Sequence, residues 1–379
     1  MKQTGYDMLY LSACAINQIK PNPDAVTHMN LEKLFQMCQY HSLTALVCTA
    51  LESTGVYDKK FLEAKAKAIR KNMLLDAERE KICSFLEQNH IWYMPLKGVI
   101  LKDMYPAIGM RQMSDNDILF DKKYQKQVFE YMKKNGYIAE SFGKCHHDAY
   151  IKPPVYRFEM HTSLFSEYYY KPKIYHYYSN IKEKLVRDSG KTNAYYFKNE
   201  DFYLFMIAHT YKHYSNGGTG LRSLLDCFVY LKKKEKLMKW DYIFRQIDKL
   251  GLSEFEASSR SLSMKIFENP TCTTLSDSEK KILEYYLFSG AYGTMKNSLE
   301  NRIKKFSSET GSQSIFRYIF HRIFPDIKSY QQYYPFFYQH RLLLPIGWIF
   351  RLTKGIFLRS NYIKRELQFL YENKIKTKT

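Results

Sequence analysis

Two aspartates separated by one residue, Asp115 and Asp117, have the spacing that most directly suggests chemistry in this sequence. They lead into the apolar residues 118–120, which predict a short buried strand. On a strand, residues i and i+2 face the same way about 6–7 Å apart, so the two carboxylates would lie side by side. Carboxylates so arranged can bind two divalent ions about 3.5–4 Å apart, as in two-metal phosphoryl transfer. Oxygen ligands without a nearby cysteine favour Mg²⁺ over zinc.

Glu159 supplies a third carboxylate in the middle of an apolar extended segment, 155–165. An ionised side chain is costly there unless it is paired or bound to a metal. If this strand neighbours the one after Asp115, three carboxylates meet and repel one another, and metal ions would neutralise them. A solvated turn at the aspartates and an edge-strand glutamate facing water are the alternatives.

The elements that must position these carboxylates follow from the hydrophobic pattern. Apolar residues at helical spacing predict three or four helices between 30 and 86, and a further helix, not a signal peptide, at 8–16. Strands and helices then alternate, at 90–95, 98–105, 118–120, 122–135, 137–139 and 155–165. Helices are predicted at 200–214, at 221–233 and through most of the remainder.

The predicted fold class is α+β. A small core with a mixed sheet over residues 87–198 is flanked by a helical N-terminal region, 1–86, and a helical C-terminal region, 199–379. The chain has 379 residues, of which 45% are hydrophobic, so a disordered or collagen-like protein is excluded. No run approaches the roughly 20 apolar residues of a membrane span. The longest candidate, 342–350, contains Pro345 and Gly347.

The cysteines and the net charge bear on the cellular compartment and on the classes of partner. Seven scattered cysteines, Cys272 among them, form no C-x-x-C pair, which argues against a disulfide framework and favours a reducing cytoplasm. The 58 Lys and Arg exceed the 38 Asp and Glu by 20 charges. Such a surface suits RNA, an anionic membrane or a nucleotide, or is simply a solvated basic surface.

Several linked motifs resemble one known family. The series Leu96-Lys97-Gly98, Tyr105-Pro106, Arg111, Asp115-Asn116-Asp117 and Glu159-Met160-His161 resembles the uncharacterised nucleotidyltransferase family within the DNA polymerase β superfamily. The later segment with His209 and His213, the glycine loop 215–220 and the residues 221–226 resemble the helical block that follows its catalytic core. The resemblance covers roughly residues 89–231, and residues 342–348 are also similar to the family.

The resemblance implies a nucleotidyltransferase. Asp115 and Asp117 would bind the metal ions that hold a nucleoside triphosphate such as ATP, and Glu159 would ligate the ion shared with the attacking hydroxyl. The implied cofactor is Mg²⁺, two ions, with Mn²⁺ as a substitute. Attack on the α-phosphate would transfer a nucleoside monophosphate to a hydroxyl acceptor and release pyrophosphate. A small molecule, a glycan precursor, a protein and an RNA all remain open as acceptors.

The resemblance also points to nucleotide-binding residues. Lys97 and Gly98 stand where superfamily members usually carry Gly-Ser at a helix start, with lysine charge in place of the hydroxyl. Asn116 replaces the usual apolar residue between the aspartates. Arg111 would contact phosphate, hold the carboxylates in place, or form a structural ion pair. His209 and His213 share a helix face and would contact the nucleotide, orient the site, or pack beside the cleft.

Other polar groups have less specific predictions. Arg222 and Asp226 have the i, i+4 spacing of an intrahelical ion pair. Residues 144–151 are predicted to form a flexible polar loop. His146, His147 and Asp148 in that loop would line the acceptor side if they act at all.

Two further functions stay open from sequence alone. One is a non-catalytic protein that keeps the fold and binds RNA or a membrane surface, and the other is a toxin that transfers a nucleotide to tRNA or to a host protein. The apolar run 342–350 with its basic flank to 354 would dock on an anionic membrane, or form a buried C-terminal helix.

Overall fold

The computed structural model describes residues 2–167, 172–270, 274–311, 314–325 and 327–376. The chain separates into two compact units. The first comprises Met1–His213 and Thr219–Tyr292, and the second Tyr214–Gly218 and Gly293–Thr379. Six cysteines are free thiols, and Cys272 lies outside the described residues. The three regions predicted from the sequence, with boundaries at 86 and 198, stay a prediction.

The N-terminal part of the first unit is helical. Its helices are α1 Lys2–Asn17, α2 Pro23–Thr27, α3 Leu31–His41, α4 Thr44–Ser53 and α5 Lys59–Gln88. Side-chain caps fix the first turns of α3 and α5. Asn30 Oδ1 accepts a hydrogen bond from the Lys33 amide, and Asp58 Oδ1 accepts one from the Phe61 amide. Helix α4 packs between α1 and α5.

A five-stranded mixed sheet follows, so the predicted α+β class is confirmed. The elements are β1 Tyr93–Pro95, α6 Lys97–Lys102, β2 Asn116–Phe120, α7 Gln125–Lys134, β3 Ile138–Ser141, β4 His147–Lys152 and β5 Tyr156–His161. The strand order is β1-β2-β5-β4-β3. Strands β2 and β5 run parallel, and the other neighbours are antiparallel.

Alternation along the strands gives this sheet two different faces. On one face Ile118, Phe120, Phe158 and Met160 pack in a core that includes residues of α5 and α7. The other face carries Asp117, Leu119, Glu159 and His161 by the same alternation. Leu119 packs there in a core with Phe205 and its neighbours on α9 Asn199–Asn216. Helix α9 therefore lies on the acidic face of the sheet.

The segment expected to be a flexible loop, 144–151, is instead mostly strand β4. Asp148 is buried and accepts hydrogen bonds from the Gly143 amide and from Gln125 Nε2. It therefore holds a turn in place. The strand pairs on both sides, with β3 and β5, and this tertiary pairing overrides its polar composition.

The rest of the first unit was only partly predicted. Helices α9 and α10 Leu221–Lys234 agree closely with expectation. Short elements without a sequence prediction are α8 Pro172–Tyr178, β6 Leu185–Arg187 and β7 Tyr195–Phe197. The unit ends with α11 Trp240–Leu250, α12 Ser253–Glu268 and α13 Asp277–Ser289.

The second unit is helical over the residues that the structure describes. Its helices are α14 Met295–Thr310, α15 Ile315–Ile323, α16 Ile327–Tyr333, α17 Pro335–Gln339 and α18 Leu344–Lys376. Short 3₁₀ turns occur in the chain at Lys122–Tyr124, Ile181–Lys184, Glu235–Leu237 and Arg341–Leu343. Among the described helices, none combines the length and the apolar character needed to cross a bilayer.

Candidate active site

The parallel pairing of β2 with β5 brings two of the three predicted carboxylates together. Asp117 is paired with Glu159 and Leu119 with His161, so the two acidic side chains are direct cross-strand neighbours. Asp115 immediately precedes β2. The intervening Asn116 points to the opposite face, where its Nδ2 donates to the Leu75 carbonyl of α5 at 2.9 Å. That bond explains a polar residue between the aspartates, because it fixes the start of the strand.

The three carboxylates share one electrostatic environment. Burial raises the pKa of Asp117 to about 6, against the opposing charges of Lys212, Arg111 and Lys97. Burial also raises the pKa of Asp115 and of Glu159, and the charge of Asp117 raises both further. Negative charge is therefore unfavourable at this site as it stands, and a cation would relieve the repulsion.

Histidines border the acidic pair. His161 Nε2 lies 3.6 Å from Asp117 Oδ1 and 3.7 Å from Glu159 Oε2, while His147 Nε2 lies 3.6 Å from Glu159 Oε2. Burial lowers the pKa of His161 and of His147 to about 4 each, so both rings are neutral at pH 7. These contacts are therefore dipolar contacts of neutral imidazoles with carboxylates.

The donor set fits a divalent cation. Ligand atoms of Asp117, Glu159 and His161 all lie within 4.8 Å of one another. Neither ring nitrogen of the buried His161 has a hydrogen-bond partner of ordinary geometry among the described residues. Buried polar atoms are costly without a partner, and a bound ion would satisfy them.

Lys212 is a charged residue of the site that the sequence analysis missed. It lies on α9, and its positive charge lowers the pKa of both Asp117 and Glu159. Burial lowers the pKa of Lys212 itself, while the two carboxylates oppose that shift. Its i, i+3 spacing from His209 was the available signal, because that spacing places both residues on one helix face.

Lys97 lies at the start of α6 and is buried. Its Nζ donates to Thr210 Oγ1 at 3.5 Å, and burial lowers its pKa to about 8 although Asp226 opposes the change. A Cβ at Gly98 would lie 2.9 Å from Met113 Cε and 3.3 Å from Arg111 Nη1. A side chain at position 98 would therefore displace the end of the Met113 side chain and press on the Arg111 guanidinium.

Arg111 forms a buried bidentate ion pair with Asp226 on α10. The Nε–Oδ1 distance is 2.8 Å and the Nη2–Oδ2 distance is 2.9 Å, and the Tyr105 hydroxyl also donates to Asp226 Oδ1. Of the alternatives for Arg111, the structure contains the structural ion pair, and a contact with phosphate stays a prediction. The predicted intrahelical pair of Arg222 with Asp226 is wrong, because Arg222 instead donates to the Gln112 carbonyl at 3.1 Å.

His209 and His213 lie on one face of α9, with ring centroids 4.8 Å apart. By accessible surface His209 is half-buried and His213 is exposed. The pKa of His209 lies well below the usual range and that of His213 falls to about 3, in both cases chiefly through desolvation of the ring. The role of the two histidines stays a prediction.

Comparison with known proteins identifies the family. No curated protein and no solved structure matches the chain. The model of one family, described as uncharacterised nucleotidyltransferase, matches residues 27–268, which is more than half of the chain and includes the sheet, the three carboxylates and α9. The chain therefore belongs to the uncharacterised nucleotidyltransferase family.

Proposed function

We propose that the protein is a Mg²⁺-dependent nucleotidyltransferase, which transfers a nucleoside monophosphate from a nucleoside triphosphate to a hydroxyl acceptor and releases pyrophosphate. The observation that supports this most strongly is the pairing of Asp117 with Glu159 across two parallel strands, with Asp115 at the entry to the first. The carboxylates have raised pKa values without an ion, which is the arrangement expected of a site built for cations.

Each residue has a distinct role in this proposal. Asp115 and Asp117 would hold the metal ions, and Glu159, paired with Asp117 across the two strands, would be their third carboxylate ligand. Bound Mg²⁺, or Mn²⁺ in its place, would neutralise phosphate charge and make the acceptor hydroxyl more acidic. Lys212 and Lys97 add positive charge on the same face of the sheet, where a triphosphate requires it.

The chemistry balances with groups of this chain. The acceptor oxygen forms a bond to the α-phosphorus, and the bond from that phosphorus to the β-phosphate oxygen breaks, so that pyrophosphate leaves. Glu159 accepts the proton of the acceptor hydroxyl at a carboxylate oxygen. Glu159 is placed for this role as the direct cross-strand neighbour of Asp117.

The acceptor is the least defined part of the proposal. The net charge of +20 favours an anionic molecule, such as an RNA, a phosphorylated glycan precursor or an acidic protein surface. The free thiols of the six described cysteines agree with a reducing compartment, and the proposed location is the cytoplasm.

Calorimetry of nucleotide binding tests the proposal. Wild-type protein should bind at least one of the four nucleoside triphosphates in the presence of Mg²⁺ and lose that binding when the metal is chelated. Asp117→Asn and Asp115→Asn/Asp117→Asn should weaken binding by about 100-fold. Glu140→Gln removes an exposed carboxylate from the same sheet and should leave binding unchanged. A folded wild-type protein that binds none of the nucleotides would refute the proposal.

A further inference from the structure

Three imidazoles meet beside the carboxylate pair, and the proposed reaction uses none of the three. His147 opens β4 and is paired across the antiparallel ladder with His161 at the end of β5. His146 precedes β4, so strand alternation does not force its ring to the other face. Ligand nitrogens of all three lie within 4.8 Å of one another.

The ring geometry is close to that of a metal site. His146 Nε2 and His147 Nδ1 lie 3.4 Å apart. Zinc binds imidazole nitrogen at about 2.0–2.1 Å, so two nitrogens of a tetrahedral site lie about 3.3–3.4 Å apart. The ring centroid of His161 lies 5.6 Å from that of His146 and 5.0 Å from that of His147. The three ligand nitrogens lie within 4.8 Å of one another, so rotation of the side chains would bring them to this spacing.

His161 supplies a second, independent observation. The residue is only 7% exposed, and neither ring nitrogen has a hydrogen-bond partner of ordinary geometry within the described part of the chain. The contacts to Asp117 and Glu159 are 3.6 and 3.7 Å long, beyond the usual N–H···O range. A buried ring with two unsatisfied nitrogens therefore faces both groups of ligands.

We propose that His146, His147 and His161 form a binding site for one first-row transition-metal ion of the zinc class. Imidazole nitrogen favours zinc, cobalt, nickel and copper, whereas Mg²⁺ requires oxygen ligands. The ion is thus of a different class from the Mg²⁺ of the proposed reaction, and its binding does not depend on that reaction.

A nearby thiol provides a matched control. Cys145 adjoins His146 in sequence and is an exposed free thiol, and its sulfur does not belong to the three-histidine group. A zinc site that used this thiol would respond to Cys145→Ser, whereas the three-histidine site would not.

The experiment uses full-length protein freed of metal by a chelator and without nucleotide. Zn²⁺ binding is measured by calorimetry, and Co²⁺ binding by its visible spectrum, which is intense for tetrahedral nitrogen ligation and weak for octahedral oxygen ligation. Wild type should bind one ion per chain with the intense spectrum. His146→Ala and His147→Ala should each weaken zinc binding by at least about tenfold. Cys145→Ser and Asp115→Asn/Asp117→Asn should keep the spectrum.

Each of the following results would contradict the proposed three-histidine site. Zinc binding lost in the aspartate double variant but kept in both histidine variants would place the ion at the carboxylates. Loss in only one histidine variant, or in Cys145→Ser, would contradict the three-histidine ligand set. Folding of the variants is checked by metal-free thermal unfolding, with His146→Asn and His147→Gln as replacements if an alanine variant unfolds. A weak octahedral cobalt spectrum in wild type, or no binding at all, overturns the proposal without any variant, and the test of nucleotide binding is unaffected.

Discussion

Lys212 lies on α9, and its charge lowers the pKa of both Asp117 and Glu159. The site would thus place a cationic group where a triphosphate adds negative charge. We expect Lys212→Gln to weaken Mg²⁺-dependent nucleotide binding about tenfold, because a charge-assisted contact contributes about 1.5 kcal/mol. Lys212→Arg should retain most of the binding. Calorimetry at fixed Mg²⁺ measures both.

The exposed Lys249 on α11 offers the control for Lys212. Lys249→Gln changes the net charge equally but should not change nucleotide affinity, since exposed charges far from a ligand are screened by salt. Equal losses in the two variants would mean that the overall charge of the protein, and not Lys212, determines binding.

Arg111 and Asp226 form a pair whose loss should unfold part of the core. Both side chains are almost fully buried, and Arg111 donates from two nitrogens to the two carboxylate oxygens. Removing one partner leaves the other charged and buried, so we expect Arg111→Ala or Asp226→Ala to cost about 3–5 kcal/mol of unfolding free energy. Denaturant unfolding measures this loss. Weakened nucleotide binding at unchanged stability would instead identify Arg111 as a phosphate ligand.

The fate of single residues shows what a sequence can predict at this scale. The sequence predicted that Glu159 would meet the two aspartates if their strands were neighbours, because an ionised group within an apolar strand needs a partner or a metal, and the pairing of β2 with β5 meets that condition. Lys212 was missed since lysine on a helix is ordinarily a solvated residue. Arg222 was assigned to Asp226 by local i, i+4 spacing, but Arg111, 115 residues away, occupies that carboxylate. The spacing of residues within one helix cannot predict a partner that lies so far away along the chain.

At the scale of elements, one histidine connects three helices. His41 at the end of α3 is fully buried. Its Nδ1 accepts from the Leu221 amide, the first residue of α10, at 3.2 Å, and its Nε2 lies 3.1 Å from the Leu287 carbonyl of α13. This pair of contacts requires the neutral ring with its proton on Nε2. Burial lowers the pKa of His41 to about 4.

Acid should therefore loosen the contact of these helices. The pKa of His41 is about 4 when folded and 6.5 when unfolded, so between these values the unfolded chain binds more protons. The contribution of the neutral His41 ring to the free energy of unfolding is complete above pH 6.5 and is lost as the pH falls towards 4. We expect a loss of about 2–3 kcal/mol between pH 7 and pH 4.5. Urea unfolding at both pH values measures it.

The control for His41 is a residue that cannot titrate. His41→Gln should be less stable than wild type at pH 7, but its loss between pH 7 and pH 4.5 should be smaller by that same amount. Identical pH dependence of the two proteins would contradict the assignment of the acid sensitivity to His41.

The predictability of whole elements depended on their length. Helices such as α5, with 30 residues, repeat their apolar pattern many times, and sequence reasoning found them. The strands β6 and β7 have three residues each, too few for an alternating pattern, and both were missed. Strand β4 was missed for another reason, since its partners β3 and β5 supply its stability and its own residues alternate poorly.

At the scale of the whole molecule, α18 presents an apolar stripe. Exposed side chains recur at helical spacing along it, namely Ile346, Ile349, Phe350, Ile356 and Phe357, with Leu342 just before. Other side chains of the helix pack within the second unit, where Arg351 donates to the Ile323 carbonyl and Gly347 contacts Phe337. The exposed stripe and the basic charge of Arg341 and Lys354 suit an anionic membrane surface.

We expect this stripe to bring the protein to anionic membranes. Full-length protein should sediment with vesicles containing phosphatidylserine and much less with zwitterionic vesicles, because burial of apolar side chains and attraction to acidic headgroups act together. Ile349→Asp/Phe357→Asp should lower vesicle affinity at least tenfold, since each change removes apolar burial and adds repulsion. Leu237→Asp, at an exposed leucine of the first unit, should have little effect. If the double variant still sedimented like wild type, the net charge of +20 alone would account for vesicle binding, and residues 342–354 would have no role in it.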